Sequence, residues 1–220
     1  MGHKVFISRE LRGSSPIQEL KNQVEIIAES LLTFKPVPFN LSPTDWLFFY
    51  SQQGVMHFFG QYKGDPVWKK LAAFGPKTGS ILREMGHFVV FTGDGVAEST
   101  ARAFSMVGRG DHVTFVRANH SRQSLQQLLS NDCRISDLVV YDNQPRQNLN
   151  IPPCDVLIFT SPLNAKSYFD QYPSRENQKI IAIGSTTREF IRTLGIREVD
   201  MPEQPTEEAL ATLLKKYFGI

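Results

Sequence analysis

Two stretches of the chain, Asp45-Trp-Leu-Phe-Phe-Tyr-Ser51 and Asp155-Val-Leu-Ile-Phe-Thr-Ser161, share a carboxylate, a near-continuous apolar run and a hydroxyl residue at its end. Such a run is typical of a strand buried on both faces of a parallel sheet. The serine that follows is a favoured residue before a helix. The stretches lie about 110 residues apart, which is too long for a solenoid repeat of roughly 20–50 residues. The sequence therefore predicts two copies of one strand-to-helix unit.

The likeness continues beyond the first strand of each copy. The next apolar run ends in Gly75-Pro-Lys-Thr78 in the first copy and in Gly184-Ser-Thr-Thr187 in the second. Each is followed by a segment with helical character that stops at a glycine, Gly86 or Gly195. Strands that alternate with helices are typical of a doubly wound parallel sheet. We expect an α/β protein of two similar lobes with parallel sheets.

Two extended segments separate the lobes. One contains Pro36 and Pro38, and a proline drives the residue before it toward extended geometry. The other is polar and also contains prolines. The chain is expected to cross between lobes twice, so that the N-terminal strand packs with the second copy. The predicted organisation is lobe 1 at residues 1–35 plus 150–220, lobe 2 at 40–142, and linkers near 35–41 and 142–153.

Two further elements are predicted from local patterns. Apolar residues at helical spacing predict a helix from Ile17 to Leu32. The segment Glu198 to Met201 predicts a strand of the second copy. Both elements would belong to lobe 1.

Composition excludes several classes of protein. The 220 residues carry a net charge of +2 with scattered basic residues, which disfavours nucleic-acid binding. No apolar run reaches the ~18–20 residues needed to span a membrane. Cys133 and Cys154 and the five histidines lack metal-ligand spacing, so no metal site is expected and each histidine is interpreted as non-catalytic. The start of the chain has no signal-peptide layout, and we expect a cytoplasmic protein with reduced thiols.

Candidate binding residues lie where predicted strands meet helices. In open α/β sheets ligands bind at the carboxyl ends of the strands, and helix N-termini there attract anions. Glycine also lets the backbone approach a ligand. The alternative interpretation is that these residues are ordinary helix caps and tight turns. The candidates are Ser51, Gly75, Thr78, Ser161, Gly184, Thr186 and Thr187.

A tyrosine and several cations complete the candidate site. Tyr141 ends the apolar run Leu138-Val-Val and opens the second linker, so its phenol is expected to face the cleft between the lobes. The alternative is a strand-end tyrosine that packs against the linker. Arg9 and Arg117 follow two predicted strands at nearly the repeat spacing and would bind carboxylates. Arg122 and Lys166 lie near comparable loops; the alternative for each cation is a solvated surface charge.

Familiar catalytic and nucleotide-binding motifs are missing from the sequence. It contains no Gly-x-Gly-x-x-Gly, no Gly-x-x-x-x-Gly-Lys-Ser/Thr and no Gly-x-Ser-x-Gly. Nucleotide cofactors are therefore disfavoured, and nothing indicates hydrolysis or redox chemistry.

Short motifs recur in a fixed order and spacing over nearly the whole chain. They are Val5-Phe-Ile-Ser-Arg9, Asp45 to Ser51, Phe74-Gly-Pro-Lys-Thr78, Phe115-Val-Arg117 with Ser121-Arg122, Val140-Tyr141, Phe159-Thr-Ser-Pro-Leu-Asn-Ala165, Ala182-Ile-Gly-Ser-Thr-Thr187 and Pro205-Thr-Glu-Glu-Ala-Leu210. In this order and spacing the chain resembles the uroporphyrinogen-III synthase family. The second copy is closer to the family than the first, which reads Ser51-Gln-Gln-Gly-Val. Asn164 is then a capping or ligand residue without a partner in the first copy.

The resemblance implies an enzyme that closes hydroxymethylbilane, a linear tetrapyrrole, with loss of water and inversion of ring D. It implies two flavodoxin- or Rossmann-like lobes, no cofactor and no metal. Tyr141 matches the family's tyrosine at the end of the strand before the second linker and is the best candidate to assist departure of the hydroxyl. Thr78 and Thr187 match the family's threonines in the two Gly-x-x-Thr loops. A monomer that receives substrate transiently from hydroxymethylbilane synthase would fit this role.

Two other interpretations remain open at this point. A two-lobed receptor that closes on a small anion, like periplasmic binding proteins, would also have α/β lobes joined twice. The short lobes and the absence of a signal peptide argue against it. A regulatory protein with two lobes and no catalysis is the third possibility.

Overall fold

The computed structural model describes residues 2–11, 13–64, 69–121 and 123–220. These residues divide into two compact units. Unit 1 comprises the described residues up to Thr33 together with Gln144–Ile220, and unit 2 comprises those within Phe34–Asn143.

The described residues form strands and helices that alternate through most of the chain. The strands are β1 (Lys4–Ile7), β2 (Glu25–Ala28), β3 (Leu32–Pro36), β4 (Trp46–Phe49), β5 (Lys70–Ala73), β6 (Val89–Thr92), β7 (His112–Ala118), β8 (Arg134–Pro145), β9 (Val156–Phe159) and β10 (Lys179–Ala182). The helices are α1 (Gln52–Gln61), α2 (Pro76–Glu84), α3 (Ala97–Gly108), α4 (Ser124–Leu129), α5 (Pro162–Phe169), α6 (Ser185–Thr193) and α7 (Glu207–Phe218).

Unit 2 is built on a six-stranded sheet of order β3-β8-β7-β4-β5-β6. The strand pairs from β8 to β6 are parallel. Every residue of β4 is buried, and its side chains alternate between two core clusters. Trp46 and Phe48 pack with Phe104 on one face, whereas Leu47 and Phe49 belong to the cluster on the other face. Both faces of this strand are therefore covered, which explains its continuous apolar run.

Unit 1 repeats this plan on a smaller sheet of order β10-β9-β1-β2, again with parallel pairs. Val156 and Ile158 of β9 belong to one core cluster, and Leu157 and Phe159 belong to another. The parallel α/β character predicted from the sequence is confirmed, and the N-terminal strand β1 pairs with the second copy as expected.

The two copies agree down to single hydrogen bonds. The carboxylate of Asp45 accepts a bond from the backbone N–H of His112 at 2.8 Å, and that of Asp155 accepts one from Lys4 at 2.7 Å. These bonds tie the start of β4 to β7 and the start of β9 to β1. Gly86 and Gly195, which follow α2 and α6, both have φ of +86°, a conformation that favours glycine.

The helix predicted from Ile17 to Leu32 is wrong. A short 3-10 helix at Gln18–Asn22 is followed by β2, which pairs with β1. Ile17, Leu20 and Val24, in and around the 3-10 turn, reach one core cluster, whereas Ile27 of β2 and Leu31 reach another, so a turn and a strand together imitate helical spacing. The β-branched Ile26 and Ile27 suit a strand better than a helix.

The strand predicted from Glu198 to Met201 is reduced to a single bridge between Asp200 and Ile181. Pro202 has no N–H with which to continue the pairing. The second predicted linker begins as sheet, because β8 continues to Pro145. Within the described part of the chain, no helix has the length and apolar character needed to cross a membrane.

Candidate active site

Ser51 caps the first helix of unit 2 at the carboxyl end of β4. Its hydroxyl oxygen accepts a hydrogen bond from the backbone N–H of Gly54 at 3.0 Å. Ser161 caps α5 in unit 1 in the same manner, accepting from Asn164 N–H at 3.2 Å. The interpretation of these serines as helix caps is thus confirmed, and each cap lies two residues after a buried strand. The first N–H groups of any α-helix have no partner within the helix itself.

Tyr141 lies on β8 with its hydroxyl oxygen 3.1 Å from that of Ser51. Only 6% of the residue is exposed. Its ring stacks on His57 with centroids 5.0 Å apart and planes inclined by 13°, and it meets Phe34 edge-on at 6.0 Å. The rings of His57 and Phe34 and the hydroxyl of Ser51 therefore hold the Tyr141 phenol in place, and all three residues belong to unit 2.

Burial controls the protonation of this pair. It raises the pKa of Tyr141 above its usual value of 10.0, because a buried phenolate loses solvation, while the hydrogen bond with Ser51 lowers that pKa. Burial also lowers the pKa of His57 below 6.5. Near neutral pH both groups are uncharged. The phenol thus retains its proton and has one to donate.

The Gly-x-x-Thr segments begin α2 and α6 in matching ways. The backbone N–H of Thr78 donates to the carbonyl of Gly75, and that of Thr187 donates to Gly184, both at 3.1 Å. Both threonines are buried. Gly75 also approaches Gly95 closely, since a Cβ at position 75 would lie 3.3 Å from the Gly95 Cα. Within the described part of the chain, the hydroxyls of Thr78 and Thr187 make no hydrogen bond.

The arginines differ in their surroundings. Arg117, with 10% of its side chain exposed, donates to the carboxylate of Asp137 at 3.1 Å and to two backbone carbonyls. Arg9 has 34% of its side chain exposed and lies 3.6 Å from Glu207 at the start of α7. Lys166 pairs with Asp170, and Arg122 lies outside the described residues.

The two remaining candidates in unit 1, Asn164 and Thr186, lie near the starts of helices α5 and α6. Asn164 accepts a bond from the backbone N–H of Leu31 at 2.9 Å and donates from its amide to Ser161 at 3.0 Å. It therefore ties the start of α5 to the neighbouring chain. Thr186 lies in the first turn of α6.

Comparison with known proteins identifies the family of this chain. The family model described as uroporphyrinogen-III synthase HemD matches residues 17–212. This chain belongs to the uroporphyrinogen-III synthase family. The members of that family are cyclising lyases of tetrapyrrole biosynthesis. None of the curated proteins matches the chain in a sequence search.

Solved structures show that the chain has the fold of uroporphyrinogen-III synthases. The uroporphyrinogen-III synthetase from Helicobacter pylori is 21% identical, with a TM-score of 0.79, 99% of this chain and 100% of that chain covered. A mutant uroporphyrinogen III synthase from Thermus thermophilus is 16% identical, with a TM-score of 0.60 and 100% of both chains covered.

His57, which the sequence analysis interpreted as non-catalytic, stacks on Tyr141, a contact that the sequence analysis did not predict. Ser51, Gly54 and His57 are spaced three residues apart, and this spacing puts them along one side of α1. Gln61 follows at the next turn and donates to the carbonyl of Val140, so α1 is fixed to β8 beside Tyr141. The three-residue spacing could be read from the sequence, but the packing of α1 against β8 could not.

Proposed function

We propose that this chain cyclises hydroxymethylbilane to uroporphyrinogen III, with loss of water and inversion of ring D, and that Tyr141 donates the proton to the departing hydroxyl. The observation that supports this role is the buried, protonated phenol held by Ser51 and His57. A proton donor within reach of the leaving group is what general acid catalysis requires, and burial keeps this phenol protonated at neutral pH.

The steps assigned to the residues balance in atoms and charge. The Tyr141 O–H gives its proton to the hydroxymethyl oxygen, the C–O bond breaks, and water leaves. The pyrrole nitrogen supplies the electrons that stabilise the resulting cation. The substituted carbon of ring D acts as the nucleophile and attacks the methylene carbon of this cation, which gives a spiro intermediate. The bond from that ring D carbon to its original bridging methylene then breaks, and the bridge re-forms at the other α-carbon of ring D, so that the ring is inverted. The proton released as the final pyrrole forms returns to the phenolate of Tyr141.

Substrate carboxylates are proposed to bind at the starts of the helices. Thr78 and Thr187 are buried hydroxyls in the first turns of α2 and α6, next to Gly75 and Gly184. Helix N-termini stabilise anions through their unpaired N–H groups. Thr186 and Ser161 lie at equivalent helix starts in unit 1. Arg9 adds a partly exposed cation, whereas Arg117 is engaged with Asp137.

We further propose a cytoplasmic monomer that needs neither metal nor cofactor and takes its unstable substrate directly from hydroxymethylbilane synthase. Direct transfer would limit spontaneous closure, which gives the product without ring inversion. The test is a reaction that contains both enzymes, run at a series of dilutions, with the ratio of isomer III to isomer I as the measurement. An isomer ratio that is the same at every dilution would refute direct transfer.

The decisive experiment is a coupled assay. Purified protein is given freshly made hydroxymethylbilane, and the oxidised uroporphyrin isomers are separated by chromatography. We expect mainly isomer III, with the spontaneous isomer I in the blank reaction. Isomer I alone, formed at the spontaneous rate, would refute the synthase activity and favour a two-lobed protein that binds a small anion.

A further inference from the structure

The two serine caps use their second hydrogen-bonding position differently. The hydroxyl oxygen of Ser161 accepts from both the backbone N–H and the side-chain amide of Asn164, at 3.2 and 3.0 Å. The hydroxyl oxygen of Ser51 accepts from the backbone N–H of Gly54 and has Tyr141 as its other neighbour. The phenol of Tyr141 thus occupies, in unit 2, the place taken by the Asn164 amide in unit 1.

Gly54 is the residue that makes this difference. It stands three positions after Ser51, as Asn164 stands three positions after Ser161. Glycine inside a helix costs about 1 kcal/mol relative to alanine. A Cβ at position 54 would lie 3.4 Å from both the Ser51 hydroxyl and the Val116 carbonyl, the short limit of ordinary contact. The backbone therefore leaves room for a Cβ at this position, at close distance.

We propose that Ser51 is a positioning residue for Tyr141, and that the missing side chain at Gly54 keeps the Ser51 hydroxyl available to the phenol. This inference rests on the proposed function, in which Tyr141 donates a proton. With one lone pair of Ser51 bound to the Gly54 N–H, the Tyr141 O–H points at the other. The orientation of a freely rotating O–H is fixed before substrate arrives.

Ser51 also has a part after the proton has left. Once the Tyr141 O–H bond has broken, the Ser51 O–H turns to donate to the phenolate oxygen, and its own hydrogen stays on Ser51. A hydrogen bond to the ionised form stabilises it. This agrees with the effect of Ser51 on Tyr141, whose pKa the bond lowers against the rise caused by burial.

The test copies the arrangement of unit 1 into unit 2 with Gly54→Asn in the full chain. The new amide is expected to bind Ser51 and displace the phenol. We expect kcat for isomer III to fall by about five- to tenfold, the scale of one hydrogen bond, with KM within about twofold. An ultraviolet titration, read against Tyr141→Phe, should show the Tyr141 phenol ionising at higher pH.

Two substitutions serve as comparisons. Gly60→Asn makes the same exchange later in α1, where an added Cβ meets nothing within 4 Å, and should leave kcat unchanged. Gly54→Ala adds a Cβ without an amide and should retain at least about half of kcat. Wild-type kcat together with an unshifted Tyr141 titration in Gly54→Asn would overturn the inference while the proposed function stands.

Ser51→Gly provides an independent route if Gly54→Asn does not fold. Glycine retains most of the capping preference, at a cost of only a few tenths of a kcal/mol, but has no hydroxyl. We expect a fall in kcat of about five- to tenfold, with a Tyr141 titration moved to higher pH. An unmoved titration would refute the inference. If the wild-type protein forms no isomer III, the proposed function fails, and the titration still decides whether Ser51 engages the phenol.

Discussion

Arg9 of unit 1 and Arg117 of unit 2 occupy equivalent positions, since β1 pairs with β9 as β7 pairs with β4. Arg117 meets Asp137, a residue of the adjacent strand β8, and is buried. In unit 1 the residue equivalent to Asp137 is Ala28 of β2, so Arg9 finds no carboxylate there and turns toward Glu207. One residue on a neighbouring strand therefore separates a buried arginine, paired within the sheet, from a partly exposed one.

A second difference follows the same pattern. In unit 2, Asp137 also accepts bonds from the side chains of Gln123 and Gln126, and Gln126 meets the hydroxyl of Tyr50. Burial raises the pKa of Tyr50 to about 12, so this phenol stays protonated. The scaffold is shared by the units, whereas polar side chains near the ends of the strands are not.

The largest effect is expected from Tyr141→Phe, which removes the proposed proton donor. We expect kcat to fall by about 100-fold, because general acid catalysis contributes at least about that factor. The measurement is the initial rate of isomer III formation. Tyr168→Phe is the matched control, since Tyr168 is a buried tyrosine of unit 1 whose pKa is also raised by burial. Equal losses in both variants would contradict an acid role specific to unit 2.

Asp137→Ala should break the buried contact that unit 1 lacks. Removing one partner leaves the Arg117 charge with poor solvation, and we expect a loss of about 2–3 kcal/mol in the free energy of unfolding. Urea unfolding measures it. Glu207→Ala removes the equivalent partner of Arg9, which is partly exposed, and should cost under about 1 kcal/mol. If Asp137→Ala and Glu207→Ala lower the free energy of unfolding by similar amounts, the two arginines do not differ in their contribution to stability.

Arg9→Ala tests whether the partly exposed arginine of unit 1 binds the substrate. We expect KM for hydroxymethylbilane to rise by about fivefold with kcat nearly unchanged, the scale of one exposed ion pair. Steady-state kinetics at low and high salt would measure it, and the difference should shrink as salt screens the charge. The control is Arg197→Ala, which removes an exposed cation elsewhere in unit 1. A fall in kcat at constant KM would argue against a binding role.

The smallest effect concerns His57 and pH. Its pKa is lower in the folded protein than 6.5, so below that pH the unfolded chain binds a proton that the folded chain refuses. The stability that comes from neutral His57 is complete above pH 6.5 and declines as pH falls. Urea midpoints from pH 7.5 to 5 should therefore decline less in His57→Phe, which keeps a ring on Tyr141. If the urea midpoints of the wild-type protein and His57→Phe decline equally as the pH falls, His57 is not the origin of the pH dependence.

Much of the fold could be predicted from local patterns, because buried parallel strands are recognisable as apolar runs followed by residues that cap helices. The helix expected from Ile17 to Leu32 was wrong, since spacing alone does not distinguish one helix from a turn and a strand whose apolar residues reach two different core clusters. The contacts of the site were less accessible to sequence reasoning. Tyr141 and Ser51 are 90 residues apart, and the pairing of β7 with both β8 and β4 brings them together. Their roles in catalysis stay predictions.

The pairing of β1 with β9 also sets an order of events during synthesis. Val5 and Val156 are partners, so β1 leaves the ribosome about 150 residues before the strand it needs. At about 5–20 residues per second, this apolar strand waits on the order of ten seconds or more. Unit 2 is contiguous and can complete its core during that interval. Nascent chains should therefore gain protease resistance in unit 2 first, and unit 1 should depend on chaperones until its C-terminal half emerges.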